Sequence, residues 1–178
     1  MNNPEENFYS FEEPLRQICR KYNPLRILEW GPGRSTEVMA AECPNAEITS
    51  IEHTEAWALK AQQRFRHNKR VHIHYVSRAG GNANNGKGYI GYPAFLFRQE
   101  ICTASIFDLI FVDGRDRTDC LAMAYMLIKD SGVVLLHDCQ RERYQTAIAL
   151  FEYRQQLEPR TLLLKRKRPP ISTLPADG

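Results

Sequence analysis

Glu29, Glu52, Asp113, His137 and Asp138 each end a short apolar run of this 178-residue chain, and together they could bind hydroxyls, move a proton or hold a cation. Glu29 leads into Trp30-Gly31-Pro32-Gly33-Arg34-Ser35-Thr36, two glycines one residue apart and then a helix-opening Ser-Thr. A strand, a tight turn and a helix N-terminus in that order let backbone approach a nucleotide-like ligand. Glu52 closes Glu47-Ile48-Thr49-Ser50-Ile51-Glu52, about 20 residues on, where a carboxylate meets ribose hydroxyls. Asp113 follows Phe107-Asp108-Leu109-Ile110-Phe111-Val112 and precedes Gly114. Polar groups at the carboxyl ends of successive strands converge on one crevice of a parallel sheet.

The elements that must carry these groups are legible as periodicity. Phe8, Phe11, Leu15 and Ile18 mark an N-terminal helix over about 8–23, with Pro14 in its first turn and Asn23-Pro24 beyond it. Strands are expected at 26–30, 47–52, 71–76, 106–112, 133–138 and 160–165. Helices are expected at 35–43, 55–68, 117–129 and 141–156, with Asp130-Ser131-Gly132 as the stop before the fifth strand. The order calls for an α/β fold: a single doubly wound, mainly parallel, Rossmann-like sheet with helices on both faces. One domain over 1–178 is expected, with 1–24 a helical extension.

The segment 80–93 is rich in Gly and Asn and reads either as a lid or binding loop or as a surface insertion. Tyr89 and Tyr92 favour a substrate-facing role there. His72 and His74 share a strand face, and no further ligand is evident to make them a metal pair. The net charge of +3 neither demands nor excludes a polyanion, and Lys165-Arg166-Lys167-Arg168 reads best as a solvated edge and tail. Five scattered cysteines without a Cys-x-x-Cys pair suit a reduced cytoplasmic protein. No signal peptide or membrane span is apparent.

Four segments together carry a family likeness: Glu29-Trp30-Gly31-Pro32-Gly33-Arg34-Ser35-Thr36, Ser50-Ile51-Glu52-His53, Phe107-Asp108-Leu109-Ile110-Phe111-Val112-Asp113-Gly114-Arg115, and Gly132-Val133-Val134-Leu135-Leu136-His137-Asp138. Over about residues 25–155 they resemble class I S-adenosylmethionine-dependent methyltransferases, in a branch with Gly-x-Gly-x-Ser-Thr, Val-Asp-Gly-Arg and His-Asp motifs. The resemblance implies S-adenosylmethionine as cofactor. It puts Gly31, Gly33 and Ser35 at its methionine part, Glu29 at the loop or the amino group, Glu52 at the ribose, His53, Ser77 and Arg78 at the adenine, and Asp113 beside the transferred methyl.

A sulfonium methyl is already electrophilic, so the protein must chiefly align the acceptor and exclude water. Asp113, His137 and Asp138 are the candidate catalytic residues, with His137 able to take a proton near neutral pH. Asp113 and Asp138 sharing a divalent ion is the alternative, and a helix-capping Asp138 beside a structural His137 is the other; no residue is assigned as a metal ligand.

The acceptor expected is an oxygen or nitrogen of a small molecule. Arg115 and Arg117 suit an anionic one, or else open a solvated helix. No Asn/Asp-Pro-Pro-Tyr/Phe motif follows the fourth strand, which argues against amino-group methylation of bases. Competing functions are a non-catalytic Rossmann-like binding module or partner subunit, and an NAD-dependent oxidoreductase. Against the last, Gly-x-Gly-x-x-Gly fails at Thr36. A membrane partner is not expected and a nucleic acid is disfavoured. The acceptor's identity and the oligomeric state stay open.

Overall fold

A computed structural model describes residues 10–77, 91–98 and 106–166. Seven strands form one sheet: β1 (Arg26–Trp30), β2 (Glu47–Glu52), β3 (Val71–Tyr75), β4 (Phe107–Val112), β5 (Ile128–His137), β6 (Tyr153–Glu158) and β7 (Thr161–Lys165), in spatial order β3-β2-β1-β4-β5-β7-β6. The five from β3 to β5 run parallel. β7 is antiparallel to both its neighbours, β5 and β6. The strand order reverses direction between β1 and β4, so their carboxyl ends open a crevice there, where open α/β sheets bind ligands.

Both faces of the central strands are covered, which is why they are apolar almost without interruption. Ile27, Leu109, Phe111, Val133 and Leu135 pack with Leu15 and Ile18 of α1 (Glu12–Tyr22) and Val38 and Met39 of α2 (Arg34–Glu42). The alternate residues Leu28, Trp30, Ile110, Val112, Val134 and Leu136 pack with Leu96 of α4 (Phe95–Arg98) and Cys120 and Leu121 of α5 (Arg117–Leu127). The helix α3 (Glu55–Phe65) buries Ala58 and Ala61. Each helical crossover returns the chain to the same end of the sheet, so the acid-tipped strand ends face one way.

α1 runs from that end back to the start of β1. Arg34, just after the glycine turn, pairs with Glu12 at 2.8 Å, while Arg16 and Arg20 pair with Glu42 at 2.6 and 2.8 Å. The chain leaves α1 through Asn23, a left-handed residue (φ 41°) whose N–H donates to the Cys19 carbonyl.

Three expectations are corrected. The helix expected over 141–156 is a 3-10 turn (Glu142–Tyr144) and the four-residue α6 (Gln145–Ile148), after which the chain becomes β6. Tyr144, Ala147, Ile148 and Phe151 do have helical spacing and are buried, but residues 153–158 satisfy their backbone against β7 instead. Second, Asp130-Ser131-Gly132 does not separate helix from strand: it lies inside β5, opposite an irregularity between Phe107 and Leu109 of β4. Third, β7 is an inner strand and not the solvated edge. Arg166 pairs with Asp130, and residues 167 and 168 lie outside the described residues. His72 pairs with Glu47 at 2.9 Å, and the His74 ring packs on Phe95. No helix among the described residues is long and apolar enough to cross a membrane.

Candidate functional site

The turns after β1, β2 and β4 meet in the crevice through backbone contacts. Gly31 N–H donates to the Ile51 carbonyl at 3.0 Å, and Asp113 N–H donates to the Trp30 carbonyl at 3.0 Å. Gly31 adopts φ +92°, and a β-carbon there would lie 2.8 Å from the backbone of Gly114, so two constraints select glycine. At Gly33 the space is open: among the described residues nothing lies within 4 Å of where a β-carbon would sit. A ligand can therefore approach the N-terminus of α2 on that side.

Glu29 is wholly buried beneath this turn. Its carboxylate accepts hydrogen bonds from the Ser35 hydroxyl, from Thr36 Oγ1 at 2.6 Å and from Ser50 Oγ at 2.7 Å. Ser50 is its register partner on β2, and Thr36 Oγ1 also accepts from the Gly33 N–H at 3.0 Å. Burial pushes the Glu29 pKa up to about 7; the three hydroxyls pull against that and the Asp113 charge adds to it. Of the two roles expected for Glu29, the geometry matches the organiser of the loop. Ser35 likewise spends its hydroxyl on Glu29.

Glu52 ends β2 and is 6% exposed. Its Oε1 accepts from the Thr54 N–H at 2.6 Å, with His53 Nδ1 at 2.9 Å. Ser77 is half-buried two residues past β3, and Val76 N–H donates to the Glu52 carbonyl at 2.8 Å, which ties that strand end to β2. Arg78 lies outside the described residues, as do Tyr89 and most of 80–93. Tyr92 is described and is wholly buried, so it does not present a ring to an acceptor.

On the other side of the crevice, His137 Nδ1 lies 2.9 Å from Asp113 Oδ1. A carboxylate only accepts, so the Nδ1 position carries a proton, and in the neutral form of the ring Nε2 is the nitrogen with the lone pair. Nε2 is buried and has no hydrogen-bond partner among the described residues, and the ring stands edge-on to Phe11 at 5.1 Å. Such a pair resembles other orienter-and-base arrangements in geometry.

Arg117 brackets this end of the sheet. It donates to the carbonyls of Gly114 and Asp113, each at 2.9 Å, and to that of His137, and it pairs with Asp113 Oδ1 at 2.9 Å. Those duties take it out of the running for an anionic acceptor, whereas Arg115 is exposed. Spacing four residues past Asp113, at a helix start, was the available signal for the bracket.

Asp138, at φ 54°, accepts from Arg160 Nε at 2.8 Å, with Arg117 and Arg141 each 3.5 Å from its other oxygen. Burial alone would raise its pKa, but the Arg160 hydrogen bond and the His137, Arg117 and Arg160 charges outweigh it and hold the carboxyl below its ordinary value. One ligand atom each from Asp113, His137 and Asp138 lies within 4.8 Å of the others. That donor set fits a divalent ion poorly, because arginines already neutralise both carboxylates and a metal would have to displace them.

The sequence matches no family model and no curated protein. Solved structures do match. A methyltransferase-like protein from Silicibacter pomeroyi DSS-3 is 23% identical with a TM-score of 0.71, over 96% of this chain and 91% of that one. A putative caffeoyl-CoA O-methyltransferase from Staphylococcus aureus is 18% identical with a TM-score of 0.59, over 92% and 93%. An O-methyltransferase from Bacillus cereus, solved in complex with SAH, is 18% identical with a TM-score of 0.61, over 93% and 83%. At these identities the likeness shows the fold, and the chain has the Rossmann-like architecture of methyltransferases.

Proposed function

We propose that this protein is an S-adenosylmethionine-dependent methyltransferase acting on an oxygen, or a nitrogen, of a small molecule. The observation that carries the reading is the meeting of three strand ends at one point, Gly31 against Ile51 and Asp113 against Trp30, with the Asp113–His137 pair beside them. The residues fit the cofactor. The open side of Gly33 and the N-terminus of α2 take its methionine part, Glu52 accepts from both ribose hydroxyls, and His53 and Ser77 flank the adenine. When bound, the cofactor supplies an electrophilic methyl group.

The chain's own work is alignment and proton removal. Asp113 fixes the tautomer of His137 and would stabilise an imidazolium, and Nε2, buried beside Phe11, is the proton acceptor once that side of the ring is uncovered. Arg117 holds both residues' backbones in register. Asp138 is assigned to the arginine cluster and not to catalysis. An anionic acceptor would meet Arg115 at the rim. A hydride-transfer reading gains nothing from the Tyr-x-x-x-Lys spacing of Tyr125 and Lys129, because Lys129 pairs with Asp108 at 2.7 Å, at the amino end of β4. Buried free thiols at Cys19, Cys43, Cys120 and Cys139 suit a reducing cytoplasm.

The test is a calorimetric titration with S-adenosylhomocysteine and, separately, NAD. The homocysteine nucleoside should bind and NAD should not. Glu52→Ala should weaken that binding by about tenfold or more, the loss of hydrogen bonds to a charged acceptor. Binding of NAD alone, or unchanged affinity in the variant, would refute the site.

A further inference from the structure

Tyr92 stands in the turn ahead of α4, and its side chain spans the crevice from the end of β2 to the end of β4. The ring meets His53 edge-on with centroids 5.4 Å apart. Its hydroxyl oxygen lies 2.1 Å from where a β-carbon on Gly114 would sit. Its backbone carbonyl accepts from the Trp30 indole N–H at 3.4 Å. The side chain therefore lies between His53 and Gly114, beside Glu52, with the glycine turn of β1 next to it.

On the function proposed above the adenine lies against His53, and the Tyr92 ring already packs on that side chain. A preformed ligand site exposes the surface its ligand will cover. Here Tyr92 is 0% exposed and Glu52 6%, and Glu52 Oε1 already accepts from the Thr54 N–H, with His53 Nδ1 2.9 Å away. The resident is also poorly satisfied. The Tyr92 hydroxyl is buried and makes no hydrogen bond of good geometry among the described residues, although the Arg115 backbone is close enough to interact. Native structures seldom leave a buried hydroxyl so, and the missing hydrogen bond lowers the cost of moving a ring that otherwise packs in the core. A flat apolar ring with one polar tip is a fair substitute for a purine in an aromatic-sided slot.

We infer that Tyr92 occupies the adenine slot, that the cofactor binds by displacing it, and that Tyr92 thereby sets cofactor affinity. The inference rests on the adenosyl reading of the crevice. Apparent affinity is reduced by the fraction of molecules with the slot open, and returning a buried aromatic side chain to water corresponds to roughly a ten- to hundredfold reduction.

Two measurements on the full chain test this, both with S-adenosylhomocysteine. Hydroxyl-radical footprinting read by mass spectrometry should show Tyr92 protected in the free protein and oxidised several-fold faster in the saturated complex. Continued protection at saturation would overturn the inference and leave the proposed function standing. Calorimetry on Tyr92→Ala should show binding about tenfold tighter than wild type or better. Weaker binding by a variant with native circular dichroism would make Tyr92 a wall of the site and overturn the displacement. If the variant does not fold, the footprint on the wild type decides alone. If neither protein binds the nucleoside, the adenosyl reading itself falls, and this inference with it.

Discussion

Replacing Glu29 with glutamine should remove a pH dependence of stability that the wild-type protein carries between pH 6 and 8. The Glu29 carboxyl is wholly buried, and its pKa rises from 4.5 to about 7 on folding because burial disfavours the charge. At about 1.4 kcal/mol per pH unit, holding the ionised form in the folded protein costs about 3 kcal/mol. The folded state thus binds this proton more tightly than the unfolded chain. Its contribution to stability is complete below pH 4.5 and is lost as pH rises through about 7. Integrated from pH 6 to pH 8, the loss is about 1.3 kcal/mol, or about 3–5 °C in Tm for a domain of this size. Glutamine keeps the shape and stays neutral, and a hydroxyl among Ser35, Thr36 and Ser50 can rotate to accept from its amide. Thermal unfolding followed by circular dichroism, without ligand and at constant ionic strength, measures both proteins at each pH. The wild type should lose its advantage over Glu29→Gln as pH rises. Parallel curves across the range would refute the reasoning, because they would mean that Glu29 carries the same charge folded and unfolded there.

Three other outcomes are expected. Gly31→Ala should destabilise the protein by about 2 kcal/mol or more in urea unfolding, since it combines φ +92° with a β-carbon 2.8 Å from the Gly114 backbone; an unchanged midpoint would show that the turn relaxes freely. His137→Gln should lower kcat by about 10²- to 10⁴-fold while S-adenosylhomocysteine affinity stays within about threefold, and unaltered turnover would remove His137 from the proton step. Prolonged dialysis against a chelator should leave turnover and Tm unchanged, because arginines already occupy the Asp138 and Asp113 carboxylates; activity restored specifically by a divalent cation would restore the shared-ion alternative.

Much of the frame follows from local patterns alone. Strands buried on both faces must be continuously apolar, and the residue that ends such a run sits at the sheet's edge, so the positions of Glu29, Glu52, Asp113 and His137 are written along the chain. The glycine at 31 follows from the same logic, because strand-to-helix turns of this tightness need positive φ. Spacing could not reveal partners distant in sequence. Residues 153–158 carry a helical-looking apolar record before them, yet become β6 because β7 offers backbone partners. Nothing in the spacing around Asp138 shows that Arg160, 22 residues later, donates to it. Arg117 looks like a substrate ligand until three carbonyls converge on it. Tyr92 belongs to a loop by composition, yet its ring is packed between the ends of two strands. Periodicity encodes which way a side chain faces relative to its own element, and so the sequence determined the parallel strands and their acid-tipped ends, though not the antiparallel β6–β7 pair. Which charge neutralises which, and what fills the space between those ends, depends on distances between elements that only the folded chain sets.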